Sequence, residues 1–182
     1  MMDFHNHKVV IFGIQGSGKT VLAKHIMRGF KKPMVYKINQ DFNNEQCYLY
    51  KPTDVYGELD SFIKWFNKSD HDLLILDEAD LFFSSNFSLA KYPNLNDLAI
   101  NHRHYNKTLV LISRRPQDIP TKIVESCKVQ FWFKIEGANV QRKLQEIDPR
   151  MLELMEQLKF GDFQFIVKEI GQAPSIHAPV KN

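Results

Sequence analysis

The amino-acid sequence predicts an α/β fold with a mostly parallel central sheet that is flanked by helices. Strand-like runs alternate with helical patterns, and the runs are mostly continuous apolar segments, as is typical of strands buried on both faces of a parallel sheet. The six runs are 8–12, 34–38, 72–76, 108–113, 128–135 and 163–168. The length of 182 residues, with 43% hydrophobic and 25% charged residues, suits one domain with an ordinary core.

A glycine-rich loop follows the first run. Residues 13–20 read Gly-Ile-Gln-Gly-Ser-Gly-Lys-Thr and complete the pattern G-x-x-x-x-G-K-[ST], in which glycines let backbone N–H groups curl around phosphates. Lys19 adds a positive charge, and Thr20 adds a hydroxyl ligand for Mg²⁺. The motif therefore predicts binding of ATP with Mg²⁺. We expect the nucleotide-contacting residues to be Gly13, Gln15, Gly16, Ser17, Gly18, Lys19, Thr20 and Val21.

The spacing of apolar residues predicts helices between the strands. The first begins near residue 18, so that its positive end faces the bound phosphates. Residues 56–68 carry a second apolar stripe, and Asp148 with Pro149 opens a further helix. Such alternation implies right-handed crossovers and ligand binding at the carboxyl ends of the strands.

Three stretches have no regular pattern, namely 39–55, 79–96 and the tail from Gly171. Pro174 and Pro179 disfavour regular structure in the tail, which we expect to be mobile. The predicted division is an ATPase domain at 1–170 and a C-terminal tail at 171–182.

Two adjacent carboxylates follow the apolar run 72–76, namely Asp77 and Glu78. In a parallel sheet this carboxyl end lies beside the phosphate loop, as in a Walker B motif. Asp77 is expected to hold the Mg²⁺ shell together with Thr20, and Glu78 to polarise the water that attacks the γ-phosphate. Asp77 to Asp80 spell a helicase signature, but such helicases need two tandem domains, which this length cannot hold.

The run 108–113 ends in the polar residue Ser113, and two arginines follow it. In NTPases with an added strand between the phosphate-loop strand and the Walker B strand, a polar residue at this point senses the γ-phosphate. Ser113 or Arg114 is expected to take that role.

The order of the phosphate loop, LLILDEADLFF, NHRHYNKTLVLISRRPQDIP, KVQFWFKI and LKFGDFQFI resembles the HerA/FtsK superfamily of DNA-pumping ATPases. The likeness is strongest to the short genome-packaging ATPases of viruses with internal membranes. It implies a RecA-like core, a homo-oligomeric ring (hexamer or pentamer), ATP-driven movement of double-stranded DNA, and contacts with capsid or membrane-vertex proteins. Where that family has Thr-Gln-Arg-Pro, this chain has Ser-Arg-Arg-Pro at 113–116, so Gln117 is an alternative sensor.

An arginine from a neighbouring subunit can neutralise the charge that develops during phosphoryl transfer. Arg103 is the first choice for this catalytic role, and Arg115 is the reserve. His102 and His104 flank Arg103, and we expect solvated side chains there because residues at i and i+2 do not share a helical face.

The best DNA-contacting segments are basic or polar. They are Arg28, Lys31 and Lys32 after the first helix, and the loop Ser84 to Asn96 with Asn86, Lys91 and Tyr92. The net charge of +3 permits a nucleic-acid partner without demanding one, so any basic surface must be local.

Three alternatives remain open. The zonular-occludens-toxin-like assembly ATPase of filamentous phages also has a phosphate loop and an HRH-like segment, but its usual membrane segment is missing here. A small-molecule kinase needs an arginine-rich lid, and residues 114–122 hold only two arginines. A non-catalytic nucleotide-binding scaffold is the third.

No secretory signal precedes the first strand, and no apolar stretch approaches the ~20 residues of a membrane span. Cys47 and Cys127 have no metal-ligand spacing, so reduced thiols are expected. The expected location is the cytoplasm, either of a host cell or in association with a virion.

Overall fold

The computed structural model describes residues 3–36, 38, 42–43, 45–83 and 91–180. They form an eight-stranded sheet in the spatial order β3-β2-β4-β5-β1-β6-β7-β8. The strands are β1 Lys8–Phe12, β2 Pro33–Tyr36, β3 Tyr48–Tyr50, β4 Leu73–Leu76, β5 Thr108–Ser113, β6 Val129–Phe133, β7 Phe165–Glu169 and β8 Ser175–His177. The first six run parallel, and β7 and β8 pair antiparallel at one edge.

Helices cover both faces of this sheet. They are α1 Lys19–Met27, α2 Leu59–Lys68, α3 Asp80–Phe83, α4 Pro93–Asn101, α5 Thr121–Glu125, α6 Ala138–Ile147 and α7 Arg150–Gln157, and two 3₁₀ turns lie at His102–Tyr105 and Pro116–Asp118. Strand alternation divides the core in two. Val9 and Ile11 pack with α1 on one face, whereas Val10 and Phe12 pack with α2 and α4 on the other. Burial on both faces explains why the parallel strands read as continuous apolar runs.

The central strand order confirms the predicted α/β class. Strand β5 lies between β1 and β4, so an added strand separates the phosphate-loop strand from the strand before Asp77. The three predicted helices correspond to α1, α2 and α7. The three-residue strand β3 lies within 39–55, a stretch without a regular pattern in the sequence. So short a strand has too few residues to display a periodic pattern.

The predicted C-terminal tail contains a strand. Residues Ser175–His177 pair with β7 in the register Phe165↔His177 and Val167↔Ser175. The expectation of a tail without regular structure is therefore wrong for these residues. Pro174 and Pro179 flank the strand rather than interrupt it, so neither removes a donor from its ladder.

Within the described part of the chain, Cys47 and Cys127 form no disulfide bond, and burial raises the pKa of the Cys127 thiol to about 12. Among the described residues, no helix is long and apolar enough to cross a membrane.

Candidate nucleotide-binding and catalytic site

The carboxyl ends of β1, β5 and β4 are joined by backbone hydrogen bonds beyond the strands themselves. The Gly13 N–H donates to the Ser113 carbonyl over 3.3 Å, and the Ala79 N–H donates to the Ile112 carbonyl over 2.7 Å. These bonds hold the starts of three loops side by side. The glycine-rich loop, the acidic pair and the 113–116 turn therefore leave the sheet at one edge, which we call the carboxyl edge.

The glycine-rich loop needs its glycines for two different reasons. Gly18 adopts φ 101° immediately before α1, in the region that side-chain-bearing residues rarely occupy. A Cβ on Gly13 would lie 2.3 Å from Ser17 Oγ and 2.9 Å from Phe133 Cβ, so only glycine lets the loop approach β6 this closely. Ser17 Oγ is itself buried and has no hydrogen-bond partner in the described part of the chain.

Lys19 connects the loop with the acidic residues. Its side chain is 8% exposed, and its Nζ donates a hydrogen bond of 2.7 Å to the Ile14 carbonyl. Burial lowers the pKa of Lys19 to about 8, and the negative charge of Asp77 is the strongest influence that opposes this decrease. Asp80 and Glu78 act on Lys19 in the same direction as Asp77. The loop and the acidic pair thus share one electrostatic environment, as the sequence predicts.

The acidic pair is held in a constrained turn after β4. Asp77 is buried, and its Oδ1 accepts the Glu78 N–H over 3.0 Å. Glu78 adopts φ 51°, a left-handed conformation that is uncommon for residues with a side chain. Such backbone strain tends to occur at functional sites, where the surrounding structure maintains it. In this turn the Glu78 carboxylate forms an ion pair with Arg114.

Arg114 bridges the end of β5 to the acidic turn. Its Nη2 lies 2.5 Å from Glu78 Oε1, and its backbone N–H donates to Asp80 Oδ1 over 3.4 Å. Arg114 also lowers the pKa of Lys19, which places its charge near the loop. The sequence analysis assigns no role to Asp80. Its position in the acidic run after β4 is the feature of the sequence that could have indicated one.

The other two predicted sensor residues are placed differently. Ser113 is fully buried, and its Oγ accepts the Arg115 N–H over 3.0 Å, so this hydroxyl shapes the turn. Gln117 is exposed on the 3₁₀ turn Pro116–Asp118. Arg114 is the sensor candidate whose side chain reaches the acidic pair.

A cavity of about 630 Å³ opens beside the loop. Seven of the eight predicted nucleotide-contacting residues line it: Gln15, Gly16, Ser17, Gly18, Lys19, Thr20 and Val21. Gly13 lies behind the loop. The remaining wall was not predicted and comprises Leu22, Lys24, Phe133, Phe163, Phe165, Pro179 and Val180. Two of these residues, Phe163 and Phe165, lie in the phenylalanine-rich stretch LKFGDFQFI, which is the sequence feature that could have indicated them.

Thr20 and Asp77 offer hydroxyl and carboxylate oxygens, the hard donors that Mg²⁺ prefers. Within the described residues, no cluster of three or more His, Cys, Asp or Glu side chains could hold a metal ion by itself. This donor set fits Mg²⁺, which usually takes one or two protein ligands and completes its shell with phosphate oxygens and water.

Arg103 lies at the opposite edge of the sheet, which we call the amino edge. Its positive charge lowers the pKa values of His7, Lys8 and His102, so it sits beside the start of β1. The five residues of β1 separate the two edges by about 15 Å. Arg103 therefore does not join the acidic pair of its own chain. The reserve candidate Arg115 is exposed and lies 3.9 Å from Asp118.

One expectation for the flanking histidines is wrong. His104 is exposed as predicted, but His102 is 6% exposed, and burial lowers its pKa to about 4. His102 begins the 3₁₀ turn His102–Tyr105, which directs its ring inward. The prediction assumed α-helical geometry, which does not apply to this turn.

The predicted DNA-contacting residues have mixed positions. Arg28, Lys31 and Lys32 are exposed after α1, and Lys32 forms an ion pair with Asp70. Tyr92 is 1% exposed and belongs to the core, so its prediction as a pore residue is wrong. Lys91 is exposed, whereas Asn86 and the rest of 84–90 lie outside the described residues.

Comparison with known proteins identifies the family. A model of the zonular occludens toxin (Zot) family matches residues 9–144, which contain both the phosphate loop and the acidic pair. The chain belongs to the Zot family. A Zot-like ATPase is one of the alternatives that the sequence leaves open, and the family match supports that interpretation. The HerA/FtsK resemblance stays a prediction. A comparison with curated proteins found no match.

Solved structures show the same fold. The genome packaging NTPase B204 from Sulfolobus turreted icosahedral virus 2, in complex with ATP-gammaS, has a TM-score of 0.79 at 19% identity, covering 97% of this chain and 98% of that one. Its complex with sulfate has a TM-score of 0.81 at 17% identity, covering 96% and 97%. B204, the DNA-packaging ATPase from Sulfolobus turreted icosahedral virus, has a TM-score of 0.79 at 19% identity, covering 98% and 100%. The Zot family member therefore has a P-loop NTPase fold.

Proposed function

We propose that this chain hydrolyses ATP and uses the energy to translocate double-stranded DNA during viral genome packaging. The observation that carries the proposal is the convergence of Lys19, Asp77 and Glu78 at one edge of the sheet, next to a 630 Å³ cavity. The similar packaging NTPases were solved with ATP analogues, which supports nucleotide binding at the same loop.

In this mechanism the loop N–H groups and Lys19 bind the phosphates, and Thr20 and Asp77 would hold Mg²⁺. The ion would neutralise charge on the phosphate oxygens. Glu78 orients the attacking water and accepts its proton. The constrained turn at Glu78 supports this role because it fixes the carboxylate relative to the loop.

Arg114 is proposed to act as the sensor. Its ion pair occupies one oxygen of Glu78, and its charge also acts on Lys19. A γ-phosphate between these groups offers Arg114 an alternative anionic partner. If the Arg114 side chain exchanged Glu78 for that phosphate as its ion-pair partner, Glu78 would be free to accept a proton. Catalysis would then depend on the presence of a triphosphate.

Arg103 is proposed to act on the nucleotide of a neighbouring subunit in a homo-oligomeric ring. Its position at the amino edge prevents it from serving its own site, whereas a ring can place one subunit's amino edge against the next subunit's carboxyl edge. The exposed residues Arg28, Lys31 and Lys32 are proposed to contact DNA phosphates. The proposed setting is a host cytoplasm or a virion, with capsid or membrane-vertex proteins as partners.

The family match favours a second candidate, an assembly ATPase of the Zot kind. The kinase alternative has less support, since both arginines in 114–122 have acidic partners: Arg114 pairs with Glu78, and Arg115 faces Asp118. Those arginines are thus engaged within the chain rather than arranged as a lid over two substrates.

The test measures the ATPase rate without DNA and with double-stranded or single-stranded DNA, together with the particle mass in solution. Stimulation by double-stranded DNA in a ring-sized particle supports the packaging motor. ATP hydrolysis in an oligomer that double-stranded DNA does not stimulate favours the assembly ATPase. A monomer that phosphorylates a metabolite would contradict both.

A further inference from the structure

The cavity of about 630 Å³ beside the phosphate loop extends beyond the residues of the loop itself. Beyond Thr20 it continues along α1 past Val21 and Lys24, and its far wall is made by the aromatic side chains of β6 and the 163–165 segment. A chain of phosphates bound at the loop would direct the rest of a nucleotide into this extension. The extension is therefore the place to look for the base.

Phe163 has an unusual conformation at this wall. Its φ is 54°, which is an outlier for a bulky side chain, and its side chain is not folded into the core, since the residue is 49% exposed. The ring lies close to the loop, because a Cβ on Gly18 would be 3.5 Å from Phe163 Cδ1. An exposed aromatic ring on a strained backbone, next to a ligand loop, suggests function rather than packing.

The C-terminal segment completes the same wall. Strand β8 pairs with β7, and the His177 ring stacks on Phe165 with centroids 6.1 Å apart and planes 10° apart. This pairing brings Pro179 and Val180, which follow β8, to the cavity. Val180 is partly buried against the core on the α1 face. The segment that the sequence suggested to be a mobile tail thus forms part of the cavity.

We infer that Phe163 and the Pro179–Val180 segment form the subsite for the nucleotide base. The inference rests on the proposed function, in which the triphosphate occupies residues 13–20. Phe163 offers its ring for stacking, and Pro179 with Val180 supplies an apolar surface across the cavity from α1. Stacking on an aromatic ring stabilises a base whatever its identity, since every base has a π-face.

The test compares two probes, ATP and inorganic tripolyphosphate, by equilibrium binding to the full chain. Phe163→Ala is expected to weaken ATP binding roughly tenfold, the loss that follows removal of one stacking partner, and to leave tripolyphosphate binding unchanged. Phe163→Tyr keeps the ring and should retain ATP affinity. Val180→Ser is expected to weaken ATP binding roughly threefold through lost apolar contact.

Phe160→Ala is the matched control. Phe160 belongs to the same loop and is 50% exposed, but it does not line the 630 Å³ cavity. It lines a smaller cavity of about 130 Å³, to which Phe163 and residues 15–17 also contribute. ATP affinity that is unchanged in Phe163→Ala, or reduced equally in Phe160→Ala, overturns the base subsite. Equal loss of ATP and tripolyphosphate binding in Phe163→Ala also overturns it. Unchanged ATP affinity in Val180→Ser removes the C-terminal segment from the subsite. In each of these cases, binding of tripolyphosphate to the wild-type protein would still support the proposed phosphate site. If the wild-type protein binds neither ATP nor tripolyphosphate, both proposals are overturned.

Discussion

The two edges of the parallel sheet carry charge in different ways. At the carboxyl edge, Lys19 and Arg114 lie among the carboxylates of Asp77, Glu78 and Asp80. At the amino edge, positive groups act mainly on one another. Beside β1 these positive groups are Lys8, Arg103 and Lys128, whose charges lower the pKa values of His7 and His102, and Asp3 is the acidic residue whose charge acts on His7.

This difference indicates what each edge lacks. The carboxyl edge has its own positive and negative groups in place, and in the proposed function a nucleotide with its metal ion completes it. Beside β4, Asp70 and Asp72 compensate the charges of Lys32 and Lys107. Beside β1, the amino edge has positive charge with little internal compensation, so its natural partner there is an anion from outside the chain. In the proposed ring, that anion is a neighbour's triphosphate for Arg103 and a DNA backbone for the lysines that follow α1.

The largest expected effect is at the carboxyl edge. Glu78→Gln removes the proton acceptor while keeping the shape of the side chain, so kcat for ATP hydrolysis should fall by up to about 10⁴-fold with ATP binding retained. The measurements are steady-state hydrolysis and equilibrium binding. Glu153→Gln, an exposed substitution on α7, is the control and should be neutral. Turnover that survives in Glu78→Gln would assign the base to another residue.

Arg103→Ala tests whether the amino edge of one subunit serves the carboxyl edge of another. The hydrolysis rate of the assembled protein should fall about 10³-fold, the lower end of what an arginine finger contributes. Mixing Arg103→Ala with the inactive Lys19→Ala variant should restore part of the rate, since the loop of an Arg103→Ala subunit is intact and can receive the intact arginine of a neighbouring Lys19→Ala subunit.

Arg115→Ala is the informative comparison for that experiment, because Arg115 is the reserve candidate and is exposed near the carboxyl edge. In the opposite outcome, Arg115→Ala is the inactive variant, with activity restored by mixing it with Lys19→Ala, while Arg103→Ala is fully active. In that case Arg115, and not Arg103, is the arginine that acts in trans. Mixed rings that stay inactive in both pairings would exclude a catalytic arginine in trans at either position.

The convergence at the carboxyl edge could be predicted from sequence because it depends on a general property of parallel sheets. Strands that run in the same direction end at the same edge, so Lys19 and Asp77 meet even though 57 residues lie between them. The apolar runs predicted the strands, and the glycine pattern predicted the phosphate-binding loop. Both are local signals that a single chain displays.

The parts that sequence did not predict depend on contacts between distant segments. The pairing of β8 with β7 brings Val180 to the cavity beside the phosphate loop, and no local pattern near residue 180 indicates this. The burial of His102 depends on how its 3₁₀ turn packs beside Lys8. The ion pair of Arg114 with Glu78 depends on a left-handed turn at a residue that does not ordinarily favour one.

The pH dependence of nucleotide binding sharpens the account of the carboxyl edge. Burial lowers the pKa of Lys19 to about 8, and bound phosphate should raise it again, so the protonated form is the one that binds. ATP affinity should therefore be constant below pH 7 and fall about tenfold between pH 7 and 9. Lys19→Arg keeps its charge throughout this range and should bind with little pH dependence, whatever its absolute affinity. Parallel profiles for the two proteins would mean that Lys19 does not titrate there.

The smallest expected effect concerns DNA at the amino edge. Lys31→Ala removes one exposed positive charge, while its backbone N–H still donates to Asp72. One lost phosphate contact should weaken binding to double-stranded DNA about fivefold at 0.15 M salt and reduce the slope of log K against log salt by about 0.9. Lys64→Ala removes the same charge from the exposed face of α2 and serves as the control. Equal effects of both variants would mean that net charge, rather than this edge, determines DNA affinity, and an unchanged slope in Lys31→Ala would place the DNA elsewhere on the molecule.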